Sequence, residues 1–247
     1  MDMMLLQTQE LVKEYAGRRV VNEVSVVVHD REIVGLLGRN GAGKTTTFRM
    51  TIGMVTPDGG KVAFEGHDIT QMPMYKRARR GMGYLSQEPS VFQRLTVEQN
   101  LLAILETMSL TRRDRHHRAD ELISQFSLQK VRKQHARLLS GGERRKLEIA
   151  RALITNPSLI LLDEPFSGVD PIAVEDLQLE IRRLLDEKGI SILITDHNVE
   201  RTLEVCHNAY IINEGRVMAY GPPKDLINDE LVRKTYLGQT FRGDEFD

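Results

Sequence analysis

The stretch Gly38-Arg39-Asn40-Gly41-Ala42-Gly43-Lys44-Thr45 fits the pattern G-x-x-x-x-G-K-[ST]. Its glycines let the backbone turn tightly enough for successive N–H groups to face an anion. In this pattern the lysine, here Lys44, reaches the β- and γ-phosphates of a nucleotide, and the Thr45 hydroxyl is placed to bind Mg²⁺. The flanks agree with that reading. Ile33-Val34-Gly35-Leu36-Leu37 reads as a buried strand, and Thr46-Thr47-Phe48-Arg49-Met50 as a helix whose N-terminus favours anions. Strand, phosphate-binding loop and helix in that order predict an α/β fold.

Composition narrows the function. The 247 residues suffice for one large domain or a domain with a subdomain. A hydrophobic content of 40% with 28% charged residues is that of a soluble globular chain. The net charge of -1 argues against a broadly basic nucleic-acid binder. Cys206 stands alone, so no internal disulfide is available and a reducing compartment is expected. Its plain reading is a small core hydrophobe. No apolar run approaches the ~20 residues that span a bilayer. The start, Met1-Asp2-Met3-Met4, lacks the regions of a signal peptide. The chain is therefore expected to dock on a membrane at most.

Along the chain, residues 5–12 and 20–28 are β-rich. Lys61-Val62-Ala63-Phe64 and Gly83-Tyr84-Leu85-Ser86 are short strands, and residues 96–155 read as helical. Thr96 and Gln99 have the spacing of a capping box. Leu159-Ile160-Leu161-Leu162 and Ser191-Ile192-Leu193-Ile194 are continuous apolar runs, which suits strands buried on both faces of a parallel sheet. Pro171 opens a helix between them. The basic run Thr111-Arg112-Arg113-Asp114-Arg115-His116-His117-Arg118 reads as a solvated helix face, since it lacks the interleaved aromatics of a nucleic-acid patch. Its adjacent histidines do not have zinc-site spacing, so no structural metal is expected.

Two further constellations carry chemistry. Asp163 and Glu164 end an apolar strand, and in open α/β sheets ligands bind at the carboxyl ends of strands. Asp163 is thus placed to hold Mg²⁺ with Thr45, and Glu164 to orient the attacking water or accept its proton. Next, Ser140 and Glu143 of Leu139-Ser140-Gly141-Gly142-Glu143 have capping-box spacing at the start of a helix. With two glycines baring backbone N–H groups, this has the make-up of a second anion site at a helix N-terminus, although by spacing alone it reads as an ordinary capped helix.

Residues 139–143 resemble the signature motif of ATP-binding cassette (ABC) ATPases, and with the phosphate loop and the acidic pair the resemblance covers essentially the whole chain. It implies one ABC ATPase domain over residues 1–247 with ATP as ligand and Mg²⁺ as cofactor. The implied fold has a mainly parallel core sheet, an N-terminal antiparallel β subdomain, a helical subdomain at about residues 88–155 and a C-terminal helical extension at about 220–247. Tyr15 falls where an aromatic stacks on adenine. ATP would be held by Gly38, Arg39, Asn40, Gly41, Ala42, Gly43, Lys44, Thr45 and Thr46, with Gln87 and Asp163. Mg²⁺ would be held by Thr45, Gln87 and Asp163, and Glu164 and the switch histidine His197 would be catalytic. The resemblance also implies a homodimer. Leu139, Ser140, Gly141, Gly142 and Glu143 would then complete the ATP site of the other subunit in trans. Ser167 and Asp170 would lie in the loop bridging the two subunits.

Within the family, a single cassette without a fused membrane domain suggests a transporter subunit working with two separate permease chains. The wording around residues 77–92, 142–151, 166–172 and 196–199, with the closing Tyr236-Leu237-Gly238-Gln239-Thr240-Phe241, resembles ATPases of lipopolysaccharide export systems. That implies a cytoplasmic protein, peripheral on the inner membrane, with no nucleic-acid partner. Phe92 and Arg94 would lie in the groove that receives the permeases. Arg39 stands where proline is usual, and Gln93 where a second arginine is expected. The rival readings are a branched-chain amino-acid importer ATPase and a soluble ABC protein acting on ribosomes or DNA. The Glu143-Arg144-Arg145 and Asp196-His197-Asn198 wording favours export over the first. The absence of a second cassette or a coiled-coil insertion counts against the second.

Overall fold

The computed structural model describes residues 3–238. The chain opens with a hairpin of β1 (Met4–Tyr15) and β2 (Arg18–His29). In β2, Val24, Val26 and Val28 are buried and alternate with more exposed neighbours, as on a half-buried strand. β3 (Ile33–Gly38) is buried at every position and leads through the glycine-rich loop into α1 (Lys44–Ile52). β4 (Gly59–Phe64), β5 (His67–Asp68), α2 (Met74–Arg79) and β6 (Met82–Leu85) follow.

Residues 96–155 are helical in three pieces: α3 (Val97–Leu105), α4 (Arg112–Gln125) and α5 (Gly141–Ala152). Both expected capping boxes are present, at Thr96 with Gln99 and at Ser140 with Glu143. The helical reading fails between α4 and α5. There the chain makes two short 3₁₀ turns, and His135 pairs with Thr96 as an isolated antiparallel bridge. Val97 N donates to the Gln134 carbonyl at 3.1 Å and Ala136 N to the Leu95 carbonyl at 2.9 Å. These bonds satisfy the backbone without a helix. Arg112, Arg113 and His117 of the basic run are exposed, as a solvated face requires. Arg118 turns inward, its Nη2 donating to the Leu153 carbonyl at 3.1 Å.

The remaining elements are β7 (Leu159–Asp163), α6 (Pro171–Asp186), β8 (Ser191–Thr195), α7 (Val199–Leu203), β9 (Asn208–Asn213), β10 (Arg216–Gly221), α8 (Pro223–Asn228) and α9 (Glu230–Val232), which runs on into a π-helical turn at Arg233–Leu237. Pro171 takes the first helical position of α6, and the Asp170 carboxylate caps it by accepting from Ala173 N at 3.0 Å. Because β10 runs to Gly221, the C-terminal helices begin only at Pro223. Gln239, Thr240, Phe241 and the tail after them lie outside the described residues. Cys206 is half-buried and packs on the main core, and burial pushes its thiol pKa up.

The strands form two sheets. One is antiparallel, in the order β2-β1-β4-β5. The other runs β10-β9-β3-β8-β7-β6 and is parallel except for the β9–β10 hairpin. Alternate residues of β7 enter different cores. Leu159 and Leu161 pack with α1 and the antiparallel sheet, whereas Ile160 and Leu162 pack with α3 to α6. This two-sided burial explains the unbroken apolar runs of β7 and β8.

All four loops of interest leave the carboxyl edge of this sheet: residues 38–45 from β3, Gln87 after β6, residues 163–170 from β7 and residues 195–198 from β8. Leu161 has no exposure and supports the middle of β7. Leu161→Ala is expected to destabilise the fold by about 2–5 kcal/mol, read as a lower urea midpoint with an unchanged slope.

Candidate functional site

The loop of residues 38–45 is held from two sides. Gly215 N donates to the Ala42 carbonyl at 3.0 Å, and Asn22 N to the Gly215 carbonyl at 2.8 Å, so the β9–β10 turn braces the loop against β2. Gly43 has φ +106, and a Cβ there would come within 2.6 Å of the Val20 carbonyl oxygen. Glycine is required at this point by both conformation and space. Lys44 is 7% exposed and curls back, donating to the carbonyls of Gly38 at 2.7 Å and Arg39 at 3.1 Å. Burial lowers its pKa, opposed by the carboxylates of Glu164, Asp163 and Asp196. The ammonium therefore sits among acids from two other loops, with its donors on loop carbonyls.

Facing it is the acidic pair. Asp163 is 1% exposed, and burial raises its pKa. Its Oδ2 accepts from Tyr84 Oη at 3.2 Å, while Oδ1 is buried without a hydrogen-bond partner. A buried carboxylate oxygen lacking a donor is costly in an otherwise satisfied protein. Such an oxygen suits a divalent cation, and a threonine hydroxyl and an amide oxygen complete a hard, oxygen-only donor set. On chemistry, Thr45, Gln87 and Asp163 thus fit Mg²⁺. Glu164 adopts φ +49, unusual for a non-glycine residue and held by Glu164 N donating to the Thr195 carbonyl at 2.7 Å. Its Oε2 accepts from Gln87 Nε2 at 2.8 Å and lies 3.5 Å from His197 Nδ1. The same His197 nitrogen is 3.4 Å from Asp196 Oδ1.

The structure thus gathers Lys44, Thr45, Thr46, Gln87 and Glu164 around one cleft of about 350 Å³, floored by Asn40, Gly41 and Gly43. Val20 also lines it. Tyr15 ends β1, is 48% exposed and has Lys13 Nζ 5.6 Å from its ring centre; it is not among the residues lining the cleft. Arg39 is exposed at the loop's edge.

Residues 139–143 lie elsewhere. Leu139 is buried, whereas Ser140 is exposed and caps α5 reciprocally with Glu143 at 3.3 Å and 2.9 Å. A Cβ on Gly141 would come 2.9 Å from the Gly168 carbonyl oxygen, and one on Gly142 2.8 Å from Ala173 Cβ. Both glycines are thus also demanded by packing, Gly141 on the loop that carries Ser167 and Asp170 and Gly142 on the first turn of α6. Gly141, Ser167 and Gln87 line a separate cavity of about 180 Å³. Phe92 and Arg94 are exposed. The Arg151 guanidinium sits 4.8 Å from the Phe92 ring centre, and the Arg94 carbonyl is bonded to His135 Nδ1 at 2.8 Å.

Residues 21–167 match the family model described as ABC transporter. The chain belongs to the ABC transporter family. Lipopolysaccharide export system ATP-binding protein LptB of Haemophilus influenzae is 52% identical over 241 residues, 97% of this chain and 100% of that protein. LptB of Escherichia coli K12 is 51% identical over the same shares of both chains. Among solved structures, the ADP conformation of MJ1267, an ATP-binding cassette of an ABC transporter, is similar at a TM-score of 0.86 and 28% identity. It covers 96% of this chain and 100% of that one. CbiO1 of Clostridium perfringens gives 0.85 at 27% identity, covering 97% and 96%.

Sequence reasoning missed the group that ties this cassette's motifs together. Arg145 of α5 is 6% exposed and donates to five acceptors. Nε bonds the Pro165 carbonyl at 3.1 Å, and Nη2 those of Asp163 and Glu164 at 3.0 Å each. Nη1 bonds the Ser86 carbonyl at 3.0 Å and Glu148 Oε2 at 2.9 Å. Glu148 Oε1 in turn accepts from Ser90 N at 2.9 Å. The signal was an arginine and a glutamate three apart on a helix, which ordinarily marks a surface pair. Asp196 was also missed. It is fully buried and accepts from Phe166 N and Asn198 N at 2.9 Å each, and burial raises its pKa. Arg145→Met strands the buried Glu148 charge and four carbonyls. The expected cost is about 3–5 kcal/mol, measured by chemical denaturation, and a loss below about 1 kcal/mol would count against the clamp.

Proposed function

We propose that this chain is the ATP-hydrolysing subunit of a lipopolysaccharide-export transporter, working as a homodimer beneath two transmembrane permease subunits. The observation that carries the reading is full-length identity of 51–52% to proteins named as LptB, in a chain whose Lys44, Gln87 and Glu164 share one cleft. No helix among the described residues is long and apolar enough to cross a membrane. On this reading the chain sits in the cytoplasm on the inner membrane, held there by its permeases.

The chemistry is phosphoryl transfer to water, which asks the protein mainly for positioning and charge neutralisation. The N–H groups of residues 38–46 cradle the phosphates at the N-terminus of α1. Lys44 leaves the carbonyls of Gly38 and Arg39 for the β- and γ-phosphates, and Tyr15 stacks on the adenine. Thr45, Gln87 and Asp163 would hold Mg²⁺, which would supply charge neutralisation to the phosphates. Glu164 orients the attacking water and takes its proton, and His197 contacts the γ-phosphate. Gln87 joins these events to the permease, since its side chain touches Glu164 while its backbone begins the segment that leads to Phe92 and Arg94. We read residues 88–155 as the unit that carries this coupling.

The dimer follows from what one chain lacks. The phosphate cleft has a floor and a wall, whereas Ser140, Gly141, Gly142 and Glu143 do not line it. A head-to-tail pair brings the signature residues of each subunit over the cleft of the other and closes by two-fold symmetry. Ser167 and Asp170 then lie at the joint. ATP favours the closed pair because it touches both subunits only there.

Glu164→Gln keeps the shape and the Gln87 contact but removes the base. It is expected to hydrolyse ATP at least about a hundredfold more slowly and to accumulate as a dimer in Mg-ATP. Light scattering after size exclusion reads this, and a population of monomers at saturating nucleotide would sink the proposal. Purification from detergent-solubilised membranes separates the transport readings. Two permeases of the lipopolysaccharide-export type are expected, and amino-acid permeases or ribosomal proteins would replace the assignment.

A further inference from the structure

Arg77 lies on α2 and is 1% exposed, the largest of the fully buried side chains among the described residues. Buried arginines are ordinarily paired with a carboxylate. Arg77 instead spends its bonds on main-chain carbonyls. Nε donates to Met72 at 2.7 Å, Nη2 to Thr70 at 2.9 Å, and Nη1 to Met50 at 3.0 Å and Thr51 at 2.6 Å. Burial lowers the guanidinium pKa to about 10, so it stays charged at neutral pH.

Met50 and Thr51 belong to the last turn of α1, where helical donors run out: the Met50 carbonyl accepts only from the C-cap Gly53 N at 3.2 Å, and Arg77 adds a donor to each. A cation there also opposes the negative end of the helix dipole. The backbone is shaped to admit it. Gly53, the C-cap of α1, has φ +83, and a Cβ on it would come 2.6 Å from Arg77 Nε and 2.8 Å from the Met72 carbonyl oxygen. The other end of α1 begins at Lys44, about 13 Å away at 1.5 Å per residue. A rigid helix of that length carries any tilt at Ile52 directly to the loop of residues 38–45. The same guanidinium ties this helix end to residues 70–72, from which the chain runs through α2 and β6 to Gln87.

We propose that Arg77 is a positioning residue for nucleotide binding: by pinning the far end of α1 it sets where the phosphate-loop N–H groups and Lys44 meet the phosphates. The inference rests on reading residues 38–45 as the nucleotide site. No atom of Arg77 touches that site, so its effect passes through α1.

The test compares Arg77→Met, Arg77→Lys and Leu122→Ala with the wild type, in the full chain. Leu122 is buried on α4 in the other core, away from α1. Each is titrated with the fluorescent analogue methylanthraniloyl-ATP and Mg²⁺, at a temperature where circular dichroism shows it folded. Arg77→Met is expected to bind about tenfold more weakly, equivalent to 1.4 kcal/mol. KM for ATP should rise in step while kcat at saturation stays within about twofold, the pattern of lost uniform binding. Arg77→Lys keeps the charge but not the fork, and should recover about half of the loss on a logarithmic scale. Leu122→Ala should melt earlier yet bind as the wild type does.

Wild-type affinity in folded Arg77→Met overturns the proposal. So does an equal loss in Leu122→Ala, which would make the effect one of general stability. If Arg77→Met does not fold, Arg77→Lys carries the test, and its wild-type affinity is then the overturning result. Failure of the wild type itself to bind the analogue overturns the reading of the loop, and the proposal with it.

Discussion

The structure depends on a parallel sheet buried on both faces. Strands β3, β7 and β8 offer no polar side chain to solvent along their lengths, so both faces must be covered, one by α3 to α6 and the other by α1 and the antiparallel sheet. That covering leaves only the strand ends for chemistry. At the carboxyl edge the apolar runs stop at Gly38, Asp163 and Thr195, and polar loops take over within one residue. Strand order then decides which loops meet. With β8 between β3 and β7, the phosphate loop and the acidic pair face each other across the strand that delivers Asp196 and His197.

The loops at this edge are held more by backbone acceptors than by side-chain pairs. Arg145 collects carbonyls from before Gln87 and from residues 163–165, so the start of α5 cannot move without both. Glu148 extends the clamp to Ser90, next to Phe92. A buried guanidinium with five bonds has little freedom to exchange them one at a time. Displacement at Phe92 is therefore felt as far as Glu164. This is a physical route between the exposed surface at Phe92 and the acidic pair within one chain.

Electrostatically the cleft is built around missing charge. Lys44 is desolvated and donates to carbonyls, Asp163 keeps a buried oxygen without a partner, Glu164 acts on both, and Asp196 acts on Lys44. Each of these burials is unfavourable alone. On the proposed reading, anionic oxygens would compensate Lys44 and the loop N–H groups, and a divalent cation would compensate Asp163.

Much of this was legible in the sequence because it depends on local rules. Spacing alone identified the loop of residues 38–45, the capping boxes at Thr96 and Ser140, the proline start of α6 and the fully buried strands. Each is set by backbone geometry over a few residues. What required the tertiary structure was the fate of charges far apart in the chain. Nothing in the local pattern around Arg77, Arg145, Glu148 or Asp196 marks these charges as buried. Burial of these groups depends on which elements pack over them, and no periodicity encodes that. The break between α4 and α5 was hidden for the same reason, since its backbone bonds reach back to residues 95–98. The sequence by itself determined where the chain can bind phosphate; only the tertiary structure decided which carbonyls, acids and cations share that place, because these contacts join residues dozens of positions apart.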